Sequence, residues 1–353
     1  MALLEREKGA AVTDHGGSLG RARALFPQAP EPWVDLSTGI NPHSYPLLEL
    51  PATALSRLPE PAHVRELNAI AAAAYGAPSA INIAAAPGTQ ILLPRVAGLV
   101  ATGRAFVLGP TYAEHARAAA LAGHSVEEVK DFGALAGADL AIVVNPNNPD
   151  GRVVEREKLR GLASTLHAKG GLLVVDEAFM DVGPREHSLA GDVGQDGLVV
   201  LRSFGKFFGL AGLRLGFAIA AEPVAQRLEA ELGPWAVAGL ALEYGVRALS
   251  DQVWQNKMRE RLRNEAARLD VLLQRFHISV AGGTTLFRYA EIADAADLFA
   301  WLGGYGILVR NFSWSSTALR FGLPGSEAEW LRLERALQGW AARDSHTKKV
   351  IAS

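Results

Sequence analysis

Between about residue 80 and residue 220, short apolar runs alternate with stretches of helical periodicity, and each run stops at a glycine, a proline or a polar residue. That alternation leaves few folds open. It predicts repeated strand–helix units around a mostly parallel sheet. The candidate strands are Phe106–Leu108, Leu140–Val144, Leu172–Asp176, Val199–Ser203 and Leu215–Ala220. In open sheets ligands gather beyond the carboxyl ends of the strands. Here those ends carry Asn145–Gly151, Asp176 and the Ser203–Lys206 segment.

After Pro234 a stretch rich in Ala, Leu, Arg and Glu runs to about Phe276, with a break near Ser250, and reads as two connecting helices. Short strands at Ile278–Ala281, Thr285–Tyr289, Ile307–Arg310 and Leu319–Gly322, with helices near 294–303 and 326–340, predict a smaller α+β domain. The expected division is a large domain over 60–235 and a small one built from 1–59 and 236–353. The residues after 340 read as a frayed tail. With 353 residues, 49% of them hydrophobic, the chain can bury a core of this size.

Charge narrows the partners. With 35 basic and 37 acidic residues the net charge is −2, which gives no field for wrapping nucleic acid or for holding an anionic membrane. Any anion site must be local. The absence of cysteine excludes a disulfide framework, a thiolate metal site and a cysteine nucleophile, and fits a reducing cytosol. No metal site is expected. The N-terminus MALLEREKGA carries charges where a signal peptide needs an apolar run, so a cytoplasmic protein is expected.

Three local features carry chemistry. Pro87-Gly88-Thr89-Gln90 opens an apolar helical stretch, so its backbone N–H groups and the Thr89 hydroxyl can cradle a phosphate, although a plain helix cap would look the same. Asp176 ends the run Gly-Leu-Leu-Val-Val; a carboxylate at the exit of a buried strand needs a cationic partner, a protonated ring nitrogen or an arginine, unless it serves as a helix N-cap. Ser203-Phe204-Gly205-Lys206-Phe207-Phe208-Gly209 sets one lysine among aromatics and glycines, a setting that lowers an amine's pKa and suits Schiff-base formation. Eight residues on, Arg214 can join Ser203 in closing a phosphate site.

The ordered set Asn145-Pro-Asn-Asn-Pro-Asp-Gly151, Asp176-Glu-Ala-Phe179, Ser203-Phe-Gly-Lys206 and Gly209-Leu-Ala-Gly-Leu-Arg214 resembles the fold-type I aminotransferases, which use pyridoxal 5'-phosphate. The resemblance spans roughly residues 35–340. It implies an α/β fold with a mostly parallel seven-stranded sheet in the large domain, a smaller α+β domain and a homodimer. It also implies roles: Lys206 as the Schiff-base lysine, Asp176 on the pyridine nitrogen, Asn148 donating to the ring oxygen, and Gly88, Thr89, Ser203 and Arg214 on the phosphate. Tyr112, in Gly109-Pro-Thr-Tyr112, matches the aromatic that stacks on the ring. Arg320, in Leu319-Arg-Phe-Gly322, matches an arginine that binds substrate carboxylate or phosphate.

Departures from the general pattern bear on the reaction. The common Asp-Glu-Ala-Tyr reads Asp-Glu-Ala-Phe179, so no phenol reaches the ring oxygen; Asn-Pro-Thr-Gly reads Asn148-Pro-Asp-Gly151; and Arg-Tyr-Pro reads Arg57-Leu58-Pro59, which removes a tyrosine that usually reaches the partner subunit's cofactor phosphate. Phe179, the Arg202-Ser-Phe-Gly-Lys206 form of the lysine motif, His15-Gly-Gly17 and Ser37-Thr-Gly-Ile-Asn41-Pro42 are similar to the threonine-phosphate decarboxylases of cobalamin synthesis. That resemblance implies conversion of L-threonine O-3-phosphate to (R)-1-amino-2-propanol O-2-phosphate. Arg320, Asn41, Arg310 and His15 are then the candidate substrate-binding residues. The rival reading is a histidinol-phosphate aminotransferase. Two others are weaker: a cofactor-binding regulatory module, since no helix-turn-helix-sized segment precedes the large domain, and a dehydrogenase, since no Gly-x-Gly-x-x-Gly follows an early strand.

Overall fold

Strands buried on both faces need near-continuous apolar side chains, and the runs at 140–144, 172–176 and 216–220 supply them, Asp176 excepted: each residue in them is buried. The computed structural model describes residues 15–194 and 197–351, with side chains to 343. In chain order the elements begin α1 Leu19–Leu25, β1 Val34–Leu36, α2 Thr53–Ser56, α3 Pro61–Tyr75, β2 Ile83–Ala86, α4 Leu92–Ala97, β3 Arg104–Leu108, α5 Glu114–Leu121 and β4 Ser125–Val129. They continue through β5 Leu140–Val144, α6 Arg156–His167, β6 Leu172–Asp176, β7 Leu198–Ser203, α7 Phe204–Phe207, β8 Gly216–Ala220, α8 Glu222–Leu232, α9 Gly239–Ser250 and α10 Gln252–Arg275. The chain closes with β9 Ser279–Thr284, β10 Phe287–Glu291, α11 Ala295–Gly304, β11 Ile307–Phe312, β12 Ser315–Gly322 and α12 Glu327–Ile351. Among the described residues no helix is long and apolar enough to cross a membrane.

Two compact units result, Ser44–Asn256 and a second made of the described residues up to His43 with Lys257 onward. The first holds a seven-stranded sheet in the order β2-β8-β7-β6-β5-β3-β4. Its strands are parallel except β8, which runs against both neighbours, β2 and β7. This is the expected mostly parallel sheet. The unit extends past the 235 drawn from sequence because α9 packs on α3: Gly245 has no Cβ, and one placed there would meet Leu67 Cδ1 at 2.7 Å. The second unit carries a five-stranded sheet, β1-β11-β12-β10-β9, in which only β1 pairs in parallel. The expected frayed tail is different: the backbone of α12 stays helical to Ile351.

Candidate active site

In the larger unit the ends of β6 and β7 and the start of β8 converge with the loop after β2. The ladder pairs Gly216 with Ser203 on one side and with Ala86 on the other. Gly88 lies just beyond, at φ 85°, and a Cβ added to it would come within 2.5 Å of Arg214 Nη2. A Cβ on Gly216 would come within 2.6 Å of the Thr89 backbone nitrogen. The left-handed φ demands glycine at 88 and close approach of the Thr89 backbone demands it at 216, and the guanidinium of Arg214 rests against the Gly88–Thr89 backbone. Arg214 itself sits in the left-handed region at φ 55° and donates to Ala211 O at 3.1 Å. The expected helical opening is weaker than the sequence suggests, because Thr89–Ile91 form a 3-10 turn and α4 follows with six residues.

Asp176 ends β6 and is buried. Its Oδ1 accepts from Ala178 N at 3.0 Å, and its Oδ2 meets His115 Nε2 at 2.8 Å. Sequence reasoning looked for an arginine or a ring nitrogen as its partner and missed His115, which α5 brings in one turn after Tyr112. The rings of Tyr112 and His115 meet edge to face, 5.9 Å between centroids. A carboxylate has about four lone-pair sites, so a third donor can still reach it. Lys206 lies on the short α7 after β7, its Nζ 5.7 Å from the centre of the buried Phe179 ring, a cation–π distance. Asn145 and Asn147 stitch the 145–151 loop by side-chain bonds to Val154 and to Thr111, Pro110 and Asp150. Half-buried Asn148 lies between them and Gly151.

Behind these residues is a buried ion cluster that the sequence did not announce. Side chains alternate across a strand, so Glu177 and Arg202 belong to the opposite face from Asp176 and Ser203. Arg202 is 1% exposed; it donates to Glu177 Oε2 at 2.9 Å and Asp181 Oδ1 at 2.5 Å, and covers the Tyr75 ring at 4.3 Å. Burial works against the guanidinium's charge, but Asp181 and Glu177 outweigh it and hold its pKa above the ordinary value. Burial pushes the Glu177 carboxyl up, opposed by Arg202, Ser188 and the Leu189 N–H. Arg202→Met strands two buried carboxylates, so we expect it to lower unfolding stability by about 3–5 kcal/mol, read as a lower urea midpoint. A midpoint unchanged from wild type would show that the cluster contributes nothing to stability.

In the smaller unit, Arg310 and Arg320 face each other across β11 and β12. Arg320 is buried, donates to Ser37 O at 2.7 Å and lies 4.9 Å over the Phe287 ring. Burial first, and then the charge of Arg310, pull its pKa down to about 9 despite Asp35. Gly17 N donates to Ser37 Oγ at 2.7 Å, and a small pocket there is lined by exposed His15 together with Arg21, Ser37 and Arg310. Asn41 is buried and accepts from His43 N at 2.9 Å.

A guanidinium, two hydroxyls and a glycine-lined backbone turn suit a phosphate; a histidine-braced carboxylate suits a cationic ring nitrogen; the Lys206 amine at the same sheet end suits an aldehyde. This donor set fits pyridoxal 5'-phosphate. Residues 59–336 match the family model described as aminotransferase class I and II, and the chain belongs to that family. It is 43% identical over 332 residues to a threonine-phosphate decarboxylase of Pseudomonas aeruginosa, covering 93% of this chain and 98% of the relative. A threonine-phosphate decarboxylase of Sinorhizobium sp is also 43% identical, over 92% of this chain and 97% of that protein. The crystal structure of L-threonine-O-3-phosphate decarboxylase from Porphyromonas gingivalis shares the fold, with TM-score 0.72 at 22% identity, covering 87% of this chain and 99% of the other.

Proposed function

We propose that this chain is a pyridoxal 5'-phosphate enzyme that decarboxylates L-threonine O-3-phosphate to (R)-1-amino-2-propanol O-2-phosphate, the aminopropanol arm used in cobalamin synthesis. The observation that carries this reading is the identity with threonine-phosphate decarboxylases along nearly the full length of both chains. Gly88, Thr89, Ser203 and Arg214 hold the cofactor phosphate, Tyr112 covers the ring, Asn148 donates to the ring oxygen and Asp176 keeps the ring nitrogen protonated. Bound in this way, the cofactor supplies an electron sink for the pair released as carbon dioxide leaves. Lys206 carries the cofactor, and its Nζ returns a proton to the carbon that has lost the carboxylate. Arg320, with Arg310, Asn41 and His15, grips the anionic ends of the substrate; two guanidiniums suit a phosphate dianion. Fixing those ends also fixes the torsion that aims the carboxylate bond, which decides the bond that breaks.

A homodimer and a cytoplasmic location go with this reading. In the larger unit Leu55, Leu58, Ile81 and Trp235 are exposed, and a groove of about 450 Å³ is lined by Pro59, Ile81 and Trp235 among others; apolar surface of this kind suits a second copy. Leu58 has no hydroxyl to offer a partner's cofactor, so the phosphate grip proposed here lies within one chain.

The experiment that tests the reaction scores carbon dioxide from threonine phosphate against glutamate from histidinol phosphate plus 2-oxoglutarate. We expect carbon dioxide. Glutamate formation at the rate of a dedicated transaminase would overturn the reading in favour of a histidinol-phosphate aminotransferase. Phe179 gives a second expected result. A phenol donating to the ring oxygen would stabilise its anionic form, so Phe179→Tyr should lower the pH at which the visible band shifts. An unmoved titration would show that the ring of residue 179 lies away from that oxygen.

A further inference from the structure

The loop proposed to hold the cofactor phosphate and the tyrosine proposed to cover its ring belong to different elements, and one side chain joins them. Tyr112 Oη donates to Gln90 Oε1 at 3.2 Å, and Gln90 Nε2 donates to Glu114 Oε2 at 2.7 Å. Glu114 is only 5% exposed and also accepts from Arg117 Nη1 at 3.2 Å. We infer that Gln90 is a positioning residue, which sets the ring of Tyr112 relative to the Gly88–Thr89 turn.

The chemistry of the chain of bonds fixes its direction. Glu114, paired with Arg117, acts as the acceptor, so the amide must turn its nitrogen toward Glu114 and its oxygen toward the tyrosine. The phenol is then obliged to donate. The edge contact with His115 holds one side of the Tyr112 ring, and the bond from its hydroxyl adds a restraint at the far end of the side chain before any ligand arrives. The same end of α5 carries His115, which holds Asp176 at 2.8 Å. Gln90 directly follows Thr89 in the chain. Through it the phosphate turn, the ring-covering tyrosine and the brace of the carboxylate form one connected unit. Glutamate at position 90 would keep the size but place a carboxylate against Glu114, whereas leucine would remove both bonds without repulsion.

This inference rests on the reading of Tyr112 as ring-covering, and the test separates the two. Cofactor dissociation constants of the apoprotein and the visible circular dichroism of the holoenzyme are measured for wild type, Gln90→Leu, Gln90→Glu, Tyr112→Phe, Tyr112→Ala and the double variant Gln90→Leu/Tyr112→Phe. Losing the neutral Tyr112–Gln90 hydrogen bond should weaken cofactor binding by about three- to tenfold in Tyr112→Phe, and by at least as much in Gln90→Leu, which also removes the bond to Glu114. The double variant should be no worse than Gln90→Leu alone, because the bond that Tyr112→Phe removes is already broken there. Gln90→Glu should be weaker than Gln90→Leu, and the visible dichroism per bound cofactor should fall in each while thermal unfolding of the apoprotein stays put. Additive losses in the double variant, or wild-type binding and dichroism in Gln90→Leu while Tyr112→Ala weakens binding, would overturn the role of Gln90 alone. Wild-type binding in Tyr112→Ala would remove the ring-covering tyrosine, and the inference with it.

Discussion

Replacing Lys206 by alanine should abolish the visible absorption band of the holoenzyme and lower turnover by at least about 10³-fold, while the chain still folds. Two contributions are lost at once. The amine that carries the cofactor is gone, and so is the group that moves a proton at the reacting carbon, a function that contributes about 10²–10⁴-fold on its own. Folding survives because packing at this corner belongs to the neighbours of the lysine. Phe204 stacks on Phe208 at 4.4 Å, Phe208 stacks on Trp254 at 5.7 Å, and Tyr45 closes edge-on against Trp254 at 5.1 Å. Lys206 itself is half-buried and reaches past this cluster toward Phe179. Borohydride reduction followed by peptide mapping should put the label on Lys206 in the wild type. A label on another lysine would end the assignment, as would an unchanged visible band in Lys206→Ala.

The sheet was legible where strand chemistry is unmixed. The run 140–144 is apolar throughout and is followed by Asn145, the run 172–176 is apolar up to Asp176, and the strands found there have the same bounds. β2 escaped notice because three of its four residues are alanines, which say little about strand or helix. β4 escaped because an edge strand carries charge: Glu127 and Glu128 are exposed, as an unpaired edge requires. The candidate site was legible for the same reason as the central strands. Its residues sit at strand ends, and one short stretch of sequence supplies both the strand and the functional side chain. What sequence could not supply are pairings between distant elements. His115 meets Asp176 across 61 positions, Arg202 meets Glu177 across 25, and Gln90 meets Glu114 across 24. In sequence His115 and Glu114 are unremarked polar residues, and Asp176, Arg202 and Gln90 are read only for their own stretch; each acquires its partner only after the sheet has brought the ends together. Leu58 shows the reverse limit: the missing phenol is plain in the sequence, but its consequence depends on the surface that Leu58 joins.

Asp176→Asn should keep the cofactor and lose most turnover, by about 10²–10³-fold or more. Retention is expected because the phosphate grip of Gly88, Thr89, Ser203 and Arg214 does not involve this carboxylate. Turnover falls because a neutral amide cannot hold the ring nitrogen protonated; removing one partner of a buried charge pair costs about 3–5 kcal/mol, which at about 1.4 kcal/mol per factor of ten gives the range stated. His115 sharpens the test. It is 1% exposed and its Nε2 lies 2.8 Å from Asp176 Oδ2, so it orients the carboxylate but supplies no negative charge of its own. His115→Gln, which keeps a donor at that position, should therefore cost far less than Asp176→Asn. The measurements are kcat with threonine phosphate and the cofactor content of each purified variant. Near-wild-type kcat in Asp176→Asn would remove the carboxylate from the ring nitrogen. A loss in His115→Gln equal to that in Asp176→Asn would show that the carboxylate acts through its orientation and not through its charge.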